Sequence, residues 1–288
     1  MQIRHLLTLS TLSVATAATA ADSNFDRTLT VSGSPSVNVA TGSGYIHLRA
    51  GSDSQLHIAA HLQGNNGSWF GGGSGGDVQS RIDQIVANPP IQQSGDTVQI
   101  GDRHAGDKYR NITIEYEITL PRGSRIDVST GSGDIEAQDV GSSLKAGSGS
   151  GSVRAHAVHG PAILQTGSGD VELDGNAPGE VRVETGSGSI RIHDMNGALR
   201  AQTGSGDIEA SGHITGDSKL ETGSGSVHLT LGNSAGYILD ATTGSGSIHT
   251  QSPIQMSGNI NSHHVNGTVN GGGPTLRIIT GSGDIDIR

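Results

Sequence analysis

Along most of this chain apolar residues recur at every second position in short bursts, and each burst is broken by a four-residue polar stretch. Around the fifth such break the chain reads Val181-x-Val183-x-Thr185, then Gly-Ser-Gly, then Ile190-x-Ile192. Period-two alternation on both sides of a glycine bend predicts two short strands per repeat. The break, Thr-Gly-Ser-Gly with one Ser for Thr, begins at Thr41, Thr130, Ser148, Thr166, Thr185, Thr203, Thr222, Thr243 and Thr280. From Thr130 to Thr243 the copies lie 18 to 21 residues apart. The 37 residues to Thr280 read as two repeats, one of them degenerate. A unit this small cannot bury its own apolar face, so copies must stack, each strand pairing in parallel with its equivalent about 4.8 Å away. The expected fold is all-β: a single-stranded parallel β-solenoid with rungs of about 18–19 residues.

The same parity puts Thr185 and Ser187 on the face of Val181 and Val183, with Gly186 and Gly188 on the other, so the motif hydroxyls are expected to point inward. The glycines are left to serve the bend, where a missing Cβ relieves crowding. Reading across rungs, the residue after each bend is Asp134, Ser152, Asp170, Ser189, Asp207, Ser226 and Ser247. Two residues further on stand Glu136, Arg154, Glu172, Arg191, Glu209, His228 and His249. Identical charges in adjacent rungs would repel at about 5 Å, so the alternation predicts a cross-rung structural ladder. On this reading His228 and His249 are neighbours.

Outside the repeat, Val78, Ile82, Ile85 and Val86 share one helical face, which predicts one inserted amphipathic helix capped by Asp77 and stopped by Pro89 and Pro90. Such a helix is placed to cover the solenoid's open first rung. Ile112, Ile114, Tyr116, Ile118 and Leu120 alternate with polar residues as a half-buried strand leading into the repeats. The stretch from Pro253 to Pro274 departs from the repeat and is expected to form a looped hairpin before the last rung. Residues 1–20, with Arg4 ahead of a short apolar run ending in Ala18-Thr19-Ala20, read as a secretory signal peptide. The remainder divides into 21–120, the solenoid start with its glycine loop and helix, and 121–288, the repeats continuous with it.

Composition narrows the function. Glycine supplies 46 of 288 residues and the aromatics seven, so the core must be thin. There is no cysteine, which excludes disulfides, thiolate metal sites and cysteine nucleophiles. The formal net charge of −10 repels a phosphate backbone, so nucleic acid is not an expected partner. No stretch is long and apolar enough for a membrane span.

The recurring T-G-S-G-[DS]-[IV], the Asn88-Pro89-Pro90-Ile91 after a helix, the run "EYEITLPRGSRIDVSTGSGDI" and the closing "NGGGPTLRIITGSGDIDI" resemble the bacterial "putative adhesin" family of β-strand-repeat domains. The resemblance covers most of the chain beyond residue 20. It implies a β-solenoid of exported or envelope proteins, in a family of unknown function with no catalytic residues to carry over.

Candidate sites are few. Trp69 and Phe70, in a glycine-rich loop, could dock on a sugar or protein, or else pack beneath the helix. His156, Asp174 and His193 occupy one position on three successive rungs and are metal-ligand types, although a charge-compatible surface row, flanked by Arg154, Glu172 and Arg191, is the preferred reading. No cofactor is expected. Rungs this short leave little room for the loops of a carbohydrate-active β-helix enzyme. The expected function is therefore a non-enzymatic exported scaffold or adhesin in the periplasm or at the cell surface, its partner an unidentified envelope component, glycan or protein. The alternative is an envelope sensing module responding to pH or metal through surface histidines.

Overall fold

The structure, a computed structural model, describes residues 22–65, 75–102, 106–176, 178–232, 236–256 and 262–288. The expected signal peptide, Trp69 and Phe70 lie outside the described residues. Each repeat forms two strands meeting at the Thr-Gly-Ser-Gly corner, as in Val181–Ser187 followed by Ile190–Gly197. Among the described residues the first strands of the rungs build a thirteen-stranded sheet and the second strands a twelve-stranded one, both enclosing a single core. Val181, Val183, Ile190 and Ile192 point into that core, fully buried.

The first hydroxyl of each motif turns inward and bonds between rungs, whereas serines two residues on, Ser187 among them, are exposed, because the chain turns the corner after the threonine and the strand parity that placed them inward ends there. Thr166 Oγ1 donates to the Gly151 carbonyl at 2.7 Å, Thr185 to Gly169 at 2.9 Å and Thr203 to Gly188 at 2.9 Å. A side chain at the corner must satisfy its own polarity in a space too narrow for a large apolar group, and threonine does so with the carbonyl one rung back.

At the C-terminal end the stacking order departs from the chain order in a way that corrects the expectation drawn from the 37-residue gap. Among the described residues there is no degenerate copy. The last segment, Thr275–Ser282 and Ile285–Ile287, slots between the Thr222 rung and the Thr243 rung, pairing in parallel with both. The intervening chain forms the expected hairpin, Ile254–Met256 antiparallel to His264–Val269. That hairpin extends the thirteen-stranded sheet beyond Tyr237–Ser245 and lays Ile254, Val265 and Val269 against the core.

At the other end the Thr41 rung stacks directly on the Thr130 rung. Beyond it the twelve-stranded sheet continues with Ile112–Leu120, Gln55–Gly64 and Asp22–Thr30, and the thirteen-stranded sheet with Thr97–Ile100 and Ile91–Ser94. The helix runs Gly75–Ala87 and packs on Asp22–Thr30 and Gln55–Gly64, with Val78, Ile82 and Ile85 buried. It begins three residues before Val78, the first helical residue expected after a cap at Asp77. Asp77 therefore stands inside the first turn, where its charge suits the helix dipole and pairs with Arg81 four residues on at 3.5 Å.

Candidate functional site

The stacking order completes both side-chain patterns read from the sequence. In space the residues after the bend run Asp134, Ser152, Asp170, Ser189, Asp207, Ser226, Asp284, Ser247. Each Asp places Oδ1 on the backbone N–H of the following Ser, at 2.8 Å from Asp134 to Ser152, 2.9 Å from Asp170 to Ser189, 2.8 Å from Asp207 to Ser226 and 2.8 Å from Asp284 to Ser247. In the reverse direction the Asp284 N–H donates to Ser226 Oγ at 3.2 Å. An acceptor on every second rung is enough, because each carboxylate serves the rung beyond it.

The second row runs, in register, Glu117, His47, Glu136, Arg154, Glu172, Arg191, Glu209, His228, Asp286, His249. Acid and base alternate from end to end. His228 and His249 are not neighbours, as chain order had suggested: Asp286 lies between them, its Oδ2 3.1 Å from His228 Nδ1. Glu117, His47 and Asp286 were missed in the sequence, although the alternation itself called for acids and bases at those places.

Within the ladder the arginines do not pair with the glutamates beside them. Arg154 reaches Asp134 at 3.3 Å and Arg191 reaches Asp170 at 3.5 Å. Both aspartates are already fixed by a backbone N–H, so the arginine meets a carboxylate held in place and loses less entropy than it would by ordering a free glutamate. Glu136 accepts instead from the Tyr45 hydroxyl, and burial, followed by that bond, raises the phenol above its ordinary range. A double-mutant cycle is expected to find a coupling of about 0.2–1 kcal/mol between Asp170 and Arg191 at low salt, and none between Glu172 and Arg191. Thermal melts of Asp170→Asn, Glu172→Gln and Arg191→Gln, alone and paired, check this.

His156, Asp174 and His193 stand on adjacent strands in register, with His156 Nδ1 3.7 Å from Asp174 Oδ2. Among the described residues no three His, Cys, Asp or Glu side chains converge as a metal site would require. A cavity of about 670 Å³ opens on the outer face of the thirteen-stranded sheet, lined by Asn38, Gln92, Gln99, Asp102, Tyr109 and Asp127 among others. Burial, with Asp102 adding to it, raises the Tyr109 phenol. Sequence periodicity gave no signal for this cavity, because the wall that rises beside the regular strands of Asn38 and Asp127 comes from the irregular segment after the helix.

The sequence profile of the Toastrack DUF4097 family matches residues 73–288. Among curated proteins none matches the chain. Similar solved structures include a "putative adhesin" from Bacteroides fragilis, 14% identical, covering 92% of this chain and 97% of that one at a TM-score of 0.49. Another is a "putative adhesin" from Parabacteroides distasonis, 9% identical, with coverages of 92% and 97% and a TM-score of 0.42. A "putative cell adhesion protein" from Clostridium sporogenes is 13% identical, with coverages of 92% and 99% and a TM-score of 0.23.

Proposed function

The chain belongs to the Toastrack DUF4097 family, and we propose that it works as a non-enzymatic binding scaffold, exported to the cell envelope, that presents its two sheet faces to a partner there. The observation that supports this reading is the surface itself. Both sheets carry straight rows of polar and charged side chains at the strand spacing, running from rung to rung along the stack. A surface that repeats at a fixed interval suits a ligand that repeats, because every further rung adds an equivalent contact. Among the described residues no helix is long and apolar enough to cross a membrane.

The test is a binding screen of the chain from residue 22 onward against arrayed glycans and purified envelope components, with product release measured on every binder. Retention of at least one polymeric component, recovered unaltered, is the expected result. Failure to retain any component, or conversion of a bound one, would overturn the scaffold reading.

A further inference from the structure

The two sheets treat charge oppositely. On the twelve-stranded sheet acid and base alternate over ten strands, whereas on the outer face of the thirteen-stranded sheet four cations follow one another without a break. Arg182 is in register with Arg200, Arg200 with Lys219 and Lys219 with Arg277. Their side chains are 51%, 63%, 48% and 57% exposed. Folding alone disfavours like charges stacked about 4.8 Å apart, and the same chain avoids the arrangement on its other face.

Two residues along the same strands, on the same face, lies a second row: Gln165, Glu184, Gln202, Glu221. The two rows enclose a shallow groove of about 150 Å³ over Arg182, Glu184, Arg200, Gln202, Lys219 and Glu221. Within it Arg182 spends Nε and Nη2 on Glu184, Arg200 uses Nε on Glu180 at 3.1 Å, and Lys219 reaches Glu221 at 2.5 Å. A guanidinium has five N–H donors and an ammonium three, so each cation keeps donors turned to solvent. Arg277 lies 3.6 Å from Asp240 and is likewise exposed.

We propose that this groove binds a linear acidic polysaccharide, its carboxylates on the Arg182–Arg200–Lys219–Arg277 row and its hydroxyls on the Gln/Glu row. The inference rests on the scaffold reading and assigns it a face and a ligand class. The second row is what selects the ligand. Glu184 already accepts from Arg182 and from Gln165 Nε2, and Glu221 from Lys219, but each carboxylate keeps lone pairs that only a donor can meet, so an occupant with hydroxyls as well as negative charge fits both rows. A uronic-acid polymer has both along its length. A DNA strand brings charge but no hydroxyls between its phosphates, so it could meet the cation row alone.

The probe is a polygalacturonate oligomer of about eight sugars, titrated calorimetrically into the chain from residue 22 onward. Binding is expected at low ionic strength and should weaken as salt rises. Arg200→Gln with Lys219→Gln should lower the affinity about tenfold or more, the loss of two charge-assisted contacts. Arg154→Gln with Arg191→Gln, on the opposite sheet, should leave affinity unchanged. Methyl esterification of the oligomer, which removes charge and keeps hydroxyls, should abolish binding. Unchanged thermal melts of the variants show that they fold.

No binding at low salt would overturn the proposal, as would binding indifferent to Arg200 and Lys219. Equal or tighter binding of oligo-dT would also overturn it, since the groove would then be reading charge alone. The two readings fail separately: an envelope component retained by a chain that does not bind the polygalacturonate oligomer keeps the scaffold reading while removing this one.

Discussion

A chain carrying Ser224→Cys and Ser282→Cys is expected to cross-link almost completely under mild oxidation, and so is one carrying Ser245→Cys and Ser282→Cys. The pair Ser224→Cys and Ser245→Cys is expected to stay reduced. Ser282 is in register with both Ser224 and Ser245, on the strands to either side of it. Neighbouring strands lie about 4.8 Å apart, within the span a disulfide bridges. Strands two apart are separated by about twice that, beyond the ~7 Å limit. The native chain has no cysteine, so nothing competes for the introduced thiols. If the Thr243 rung instead lay directly on the Thr222 rung, as chain order suggests, the third pair would close and the first would not. Non-reducing electrophoresis separates the two arrangements.

That arrangement was legible in the sequence, though not from the spacing that first reveals the repeat. Spacing measures distance along the chain, while the energy of a rung depends on what lies beside it in space. Taken in chain order, Ser226 is followed by Ser247 and His228 by His249, and both alternations break at the same point. Asp284 and Asp286 are the residues that mend them, and inserting their rung between the other two restores both rows at once. The strands, the inward threonines and the ladder register were readable because each follows from parity and a strand pitch that every rung shares.

The diagonal ion pairs were less accessible. Register fixes where Arg191 begins, but the choice between Glu172 and Asp170 depends on which carboxylate is already held, and the Ser189 N–H holds Asp170. The irregular first third resisted reading for a related reason. Ile91–Ser94 and Thr97–Ile100 form a short antiparallel pair ending one sheet, and four-residue strands carry too little periodicity to announce themselves. The cavity beside them inherits that obscurity. By contrast, the cation row was visible in principle three residues before each of four motif threonines, once those rungs are known to be neighbours.

Gly206→Val should be among the most damaging single changes in the protein, lowering stability by roughly 2–6 kcal/mol. Two costs add. The backbone at Gly206 has φ 148°, a conformation closed to β-branched residues, and forcing one there costs about 1–3 kcal/mol. A Cβ would also stand 2.1 Å from the Gly188 carbonyl oxygen of the preceding rung. Relieving that overlap means pushing two strands apart, an overpacking cost of about 1–3 kcal/mol. The Gly188 oxygen is the acceptor for the Thr203 hydroxyl, so moving it also strains an interior hydrogen bond. Gly147→Ala is the internal control, because a Cβ there meets nothing within 4 Å, and it should leave the melting temperature unchanged or slightly higher. For a chain of this size the Gly206 variant should melt about 5–20 °C lower. Hydrogen exchange should place the early opening in the Thr185, Thr203 and Thr222 rungs rather than at the ends, since in a stacked array a defect weakens its neighbours first. If Gly206→Val and Gly147→Ala melted alike, the corner glycines would have to owe their recurrence to something other than the closeness of successive rungs.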